Sequence, residues 1–122
     1  DANGMHSRPH ASGVWRFQEL VLPTATAPVS HPEGNTPLLE RRTVSEYAGL
    51  ETLYLKHEGH NPTGSFKDRG MTVAVTQAVR VGASAVACAS TGNTSASLAA
   101  YAAQAGRKAL VFVPRDGIGI RS

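Results

Sequence analysis

The spacing of apolar positions changes several times along this chain, and the changes predict its elements. Residues 1–13 show no period and predict an arm. Trp15, Phe17 and Leu20 are the apolar anchors of a short helix over 15–20. Pro23, Pro28, Pro32 and Pro37 then predict an extended connection draped over the rest. Thr43 to Gly49 reads as one or two helical turns stopped by glycine. Thr52 to His57 alternates, with Leu53 and Leu55 on one face and Thr52, Tyr54 and Lys56 on the other, which predicts a strand.

From Ser65 to Val81 the period becomes helical. Phe66, Met71, Ala74, Val75, Ala78 and Val79 form a broad apolar face, and Gly82 closes the helix. Gly70 inside it costs about 1 kcal/mol relative to alanine, which predicts close approach of a backbone or a ligand. Ala85 to Ala89 reads as a buried strand, Ser95 to Gln104 as an alanine-rich helix, and Lys108 to Val113 as a strand stopped by Pro114. Strand, helix, strand, helix, strand predicts an α/β fold: a parallel sheet with flanking helices and right-handed crossovers. Ligands of such sheets sit beyond the carboxyl ends of the strands, where the loops 59–64 and 91–94 fall.

The first of those loops leads into the run Asn61-Pro62-Thr63-Gly64-Ser65-Phe66-Lys67-Asp68-Arg69-Gly70. It puts Lys67 on the first turn of a helix, where a cation meets unpaired N–H groups and about +0.5 of an elementary charge. That address disfavours the ammonium form, and an amine without its extra proton is the nucleophile that Schiff-base chemistry requires. The bland reading is a solvated surface lysine beside Asp68. The second loop, Ser90-Thr91-Gly92-Asn93-Thr94-Ser95, opens the next helix with small hydroxyl and amide residues and can receive an anion. An ordinary capping turn would have the same composition.

Leu55-Lys56-His57-Glu58 with residues 61–71, and Ala87 to Ser97, resemble the threonine synthases, in the fold-type-II group of pyridoxal-phosphate enzymes, whose fold is that of the tryptophan synthase β chain. Gly34-Asn35-Thr36-Pro37-Leu38-Leu39 matches an opening segment of that group, except that a second glycine is commoner than Asn35. Gly13-Val14-Trp15-Arg16-Phe17 resembles a stretch that precedes it. The resemblance covers about residues 13–114. Its Ser-Phe-Lys core is shared with serine and threonine dehydratases, so a dehydratase-like lyase is the nearest alternative.

The resemblance implies that Lys67 is the Schiff-base lysine for pyridoxal 5'-phosphate and that Asn93 bonds the phenolic oxygen of the cofactor. It implies that Ser90, Thr91, Asn93 and Thr94 bind the carboxylate or phosphate of a small amino-acid phosphate substrate. The reaction implied converts O-phospho-L-homoserine and water to L-threonine and phosphate, with the cofactor as electron sink. The family places its cofactor phosphate loop, and the side chain facing the pyridine nitrogen, after the third strand. The chain is therefore expected to be the N-terminal part of a longer enzyme, inactive alone or a non-catalytic truncated piece, with a tail over 115–122 that departs from the family. The expected division is an arm and linker over 1–34 and a partial enzyme domain over 35–122.

Composition changes this picture little. A net charge of +3 is spread along the chain, with adjacent basic residues only at Arg41-Arg42 and Arg107-Lys108, so nucleic acid is not an expected partner. No apolar run approaches the ~20 residues of a membrane span, and none is expected. The lone Cys88 sits in an apolar strand and fits a reducing, cytoplasmic setting. A homo-oligomer is left open for the full-length enzyme.

Three near misses carry less. The GxxxxG spacing of 59–64 lacks the lysine that a P-loop needs directly after its second glycine. His57 and His60 are three apart across a glycine turn, rather than four apart on one helix face, so no metal is expected. Arg69 could hold a substrate phosphate, but pairing with Asp68 or another carboxylate is the commoner fate.

Overall fold

The computed structural model describes residues 12–115. A 3-10 turn at Trp15–Phe17 runs into α1 (Gln18–Val21). After the proline-rich connection come β1 (Leu38–Glu40), α2 (Arg42–Ala48), β2 (Tyr54–Lys56) and a 3-10 turn at Glu58–His60. The long helix α3 (Lys67–Arg80), β3 (Ala85–Ala89), α4 (Asn93–Gln104) and β4 (Lys108–Phe112) complete the order. The helices fall where the periodicity predicts, and α2 stops at Gly49 as expected.

The strands pair differently from a continuous three-stranded parallel sheet. β3 and β4 are parallel, in register from Ala85 opposite Lys108 to Ala89 opposite Phe112. β2 instead pairs antiparallel with β1, Leu39 opposite Leu55, in a separate two-stranded sheet. The reason lies in the segment 36–40, which takes up the bonding groups of 54–57. Beyond the ladder itself, the His57 N–H donates to Pro37 O at 3.0 Å, and Lys56 Nζ donates to Thr36 O. Leu38-Leu39 is thus a strand that the sequence pattern did not separate from the loop before it.

α3 buries only part of the face its apolar residues suggest, with Val75 in the core and Met71 beside it, and adds polar residues to it. Asp68, Thr72, Val75 and Thr76 point inward, at the i, i+4, i+7, i+8 spacing of one helix face, while Phe66 is 56% exposed. Each inward hydroxyl is satisfied. Thr72 Oγ1 accepts from Trp15 Nε1 at 2.7 Å and donates to Val29 O at 2.6 Å, and Thr76 Oγ1 accepts from the Val29 N–H at 2.9 Å. The extended connection is laced to the helix by these bonds, which removes the cost of burying polar groups. Val75 meets Leu98 and Tyr101 of α4 in a small apolar core, with Met71, Val86 and Cys88 packed around it. Of the backbone or ligand expected close to Gly70, no backbone comes near: a Cβ there would touch no protein atom within 4 Å. Gly70 faces an apolar groove of about 790 Å3 between α3 and the segment Val14 to Leu22.

The start of the described chain is not a free arm. Ser12 and Gly13 are buried; Ser12 Oγ accepts from the N–H groups of Val14 and Trp15, both at 3.2 Å, and opens the first turn. Gly13 donates to Glu33 O at 2.7 Å and passes so close to the connection that a Cβ would sit 2.2 Å from Asn35 N. Only glycine fits that crossing. Residues 1–11 of the expected arm, and 116–122 of the expected tail, lie outside the described residues.

β3 is more open than the buried strand expected from its apolar run, with no fully buried residue, and β4 is exposed along its length. Leu110, Val111 and Phe112 are all exposed. Parallel strands are apolar on both faces because both are normally covered, and here α4 covers one side.

Candidate active site

Lys67 is the first residue of α3, as its sequence position predicts. The loop before it is built around Asn61, which is buried and bonded on both ends of its amide. Asn61 Oδ1 accepts from the Gly34 N–H at 2.9 Å, and Nδ2 donates to Glu58 O at 2.8 Å and to Glu58 Oε2 at 3.1 Å. The chain then turns back through Gly64, whose N–H donates to Asn61 O at 2.8 Å and whose φ of +83° is reserved for glycine by steric strain. Ser65 Oγ accepts the Lys67 N–H at 3.3 Å. Lys67 is half-buried as a residue; its amine lies 4.8 Å from the centroid of the Phe66 ring and makes no ion pair among the described residues.

The two charged residues after Lys67 have separate partners. Asp68 is fully buried and accepts from the Thr63 N–H at 2.7 Å, from Thr63 Oγ1, and from Ser97 Oγ of α4. Arg69 does not pair with Asp68. Its guanidinium grips Glu58 in a fork, Nε to Oε2 at 2.7 Å and Nη2 to Oε1 at 3.0 Å, and Nη2 also donates to Thr36 Oγ1 at 3.1 Å. The Arg69 fork, and then the Thr36 hydroxyl, hold the Glu58 carboxyl down from the ordinary 4.5 to about 2. A guanidinium so engaged ties Thr36 and Glu58, and Asn61 through Glu58, to α3.

At the second loop the backbone enters α4 at Gly92, which has no side chain to cap the helix, and the first turn contains no acidic residue. Ser90 Oγ accepts from the Gly92 N–H at 3.2 Å, and Ser95 Oγ donates to Gly92 O at 2.7 Å. The side chains of Thr91 and Asn93 are exposed and that of Thr94 is half-buried. Ser90 and Thr91 line a cavity of about 420 Å3 with Ala89, Phe112, Val113 and Pro114, at the carboxyl ends of β3 and β4. No direct bond joins Lys67 Nζ to Ser90, Thr91, Asn93 or Thr94. The two loops are connected one layer deeper, through Asp68 and Ser97.

An aldehyde cofactor with anionic groups needs an amine without a carboxylate partner and donors without competing acids. Lys67 meets the first requirement, and the uncapped, acid-free first turn of α4 meets the second. These residues therefore fit the lysine-bound ring of pyridoxal phosphate. Sequence reasoning passed over Ser97, Thr63 and Glu58. A signal for Ser97 was present: it lies four residues after Asn93, on the same helix face. His57 and His60 stack edge to face, with ring centroids 4.5 Å apart. Among the described residues no three His, Cys, Asp or Glu side chains gather as a metal site.

Residues 29–119 match the family model for pyridoxal-phosphate dependent enzymes. The chain is 52% identical over 107 residues to a threonine synthase of Methanosarcina acetivorans, covering 88% of this chain and 26% of that protein. To a threonine synthase of Methanocaldococcus jannaschii it is 50% identical over 114 residues, 93% of this chain and 28% of that protein. To a threonine synthase of Mycobacterium tuberculosis it is 57% identical over 93 residues, 76% and 26% of the two chains. The chain thus spans about a quarter of the length of these curated relatives.

Proposed function

Because this chain belongs to the pyridoxal-phosphate dependent enzyme family, we propose that it carries the cofactor lysine, Lys67, and one wall of the site of an enzyme that makes L-threonine and phosphate from O-phospho-L-homoserine and water. The observation that carries this reading is the placement of Lys67 at the start of α3, its amine unclaimed by any carboxylate among the described residues, with α3 bonded to the uncapped helix α4. When bound, pyridoxal phosphate withdraws electrons from the substrate carbons.

The chain's own residues do the rest. Lys67 Nζ would hold the cofactor, and its amine would hold and move a proton beside the substrate. Asn93 orients the ring through its exposed amide. Ser90, Thr91 and Thr94, with the first-turn N–H groups of α4, receive the anionic end of a small amino-acid phosphate. The long identity with three threonine synthases favours this substrate over the threonine or serine of a dehydratase. No helix of the described residues is long and apolar enough to cross a membrane. The proposed setting is the cytoplasm, and the proposed form of the full-length protein is a homo-oligomer.

The test is to load the full-length protein with pyridoxal phosphate, reduce it with borohydride and map the label by mass spectrometry. The expected label is on Lys67, lost in Lys67→Ala; a label on another lysine overturns the reading. Phosphate released from phosphohomoserine, against oxoacid formed from threonine, separates the synthase from the dehydratase.

A further inference from the structure

We propose that Asp68 is a positioning residue of this site, whose buried carboxylate fixes Lys67 relative to Asn93 by holding Ser97 and Thr63. The proposal rests on the reading of Lys67 as the cofactor lysine. Its starting point is a carboxylate with no solvent exposure whose donors are all neutral: the Thr63 N–H at 2.7 Å, Thr63 Oγ1 and Ser97 Oγ. The guanidinium next to it in sequence is committed to Glu58. Burying a carboxylate is costly unless it is well bonded, and apolar residues of similar volume would join two helices at lower cost. What a directed set of hydrogen bonds adds is a single fixed geometry.

The parts so fixed are those of the proposed site. Lys67 and Asp68 are successive residues, with α-carbons about 3.8 Å apart. Asn93 and Ser97 are one turn apart on the same face of α4, so the face that meets Asp68 also carries Asn93. Among the described residues the side-chain hydrogen bond between α3 and α4 is Asp68 to Ser97, one residue from the lysine and one turn from the ring-orienting amide, while the Val75, Leu98 and Tyr101 packing joins the two helices further along. The two Thr63 bonds add the loop that delivers Lys67 to its place. A shift of about 1 Å in such a constellation lowers a rate by up to about 100-fold.

The experiment uses the full-length holoenzyme with Asp68→Asn, Ser97→Ala and the double variant. Borohydride labelling is expected to stay on Lys67 in each. Ser97→Ala is expected to lower kcat by about 10-fold or more with KM changed less than threefold, and to alter the visible circular dichroism of the bound cofactor. Asp68→Asn has the same direction and a larger effect, and the double variant is no worse than Asp68→Asn alone. If Asp68→Asn does not fold, Ser97→Ala decides by itself.

Wild-type kcat and circular dichroism in Ser97→Ala, with only the melting temperature lowered, overturn the positioning role and leave Lys67 as the cofactor lysine. A label away from Lys67 in the wild-type protein overturns both.

Discussion

At Glu58 one carboxylate collects the Arg69 fork, the Thr36 hydroxyl and the Asn61 amide, and the chemistry of that cluster is readable in its response to acid. Its folded value is about 2 against an ordinary 4.5, so its contribution to stability is complete above about pH 4.5 and is lost as pH falls through about 2. Glu58→Gln is expected to remove that acid-dependent part, and urea denaturation between pH 2 and 5 measures it as a shallower slope. Because the pair is about a third exposed, solvent screening limits the loss at neutral pH to about 1 kcal/mol. Tyr101 behaves in the opposite sense: burial first, and the Glu33 carboxylate 2.6 Å from its hydroxyl second, hold its proton far above the usual tyrosine range. The place of Lys67 at the start of α3 was legible at this scale because its signal is local, one residue against one helix end. The partners of Asp68 were not, because Ser97 is 29 positions away and only folding brings it near.

Among the elements, α3 and α4 determine most of what is stable. Leu98 is 4% exposed in the core between them, and Leu98→Ala is expected to cost about 2–5 kcal/mol, seen as a large fall in melting temperature. Gly70→Ala has the opposite sign. A Cβ there meets nothing within 4 Å, so the helix is expected to gain about 0.5–1 kcal/mol by denaturant titration. A loss of stability in the full-length protein would mean that another part of it fills the groove beside α3. The helix boundaries were legible from period, glycine stops and the run of alanines. The polar part of the inward face of α3 was not, since Thr72 and Thr76 are buried by bonds to Trp15 and Val29 rather than by apolarity. Strand pairing was misjudged for a related reason: alternation identifies a strand and is silent on its neighbour, and β2 found β1.

Taken whole, the described chain has a small core and a wide apolar exterior. Leu110 and Phe112 of β4 are 51% and 64% exposed, on a parallel pair that α4 covers from one side. The 122-residue chain alone is expected to bind a hydrophobic dye, and Phe112→Ser to weaken that binding; dye fluorescence unchanged by the substitution would count against the β4 face as the source. The fold class was legible from the order of elements, but how its ends are held was not. Trp15, the single tryptophan of the sequence, is 1% exposed and donates its indole N–H to Thr72. The molecule therefore contains a built-in optical gauge of its own assembly. Blue-shifted emission reports that the first turn is seated on the long helix, and a move to the red reports its release, with no dye or label attached.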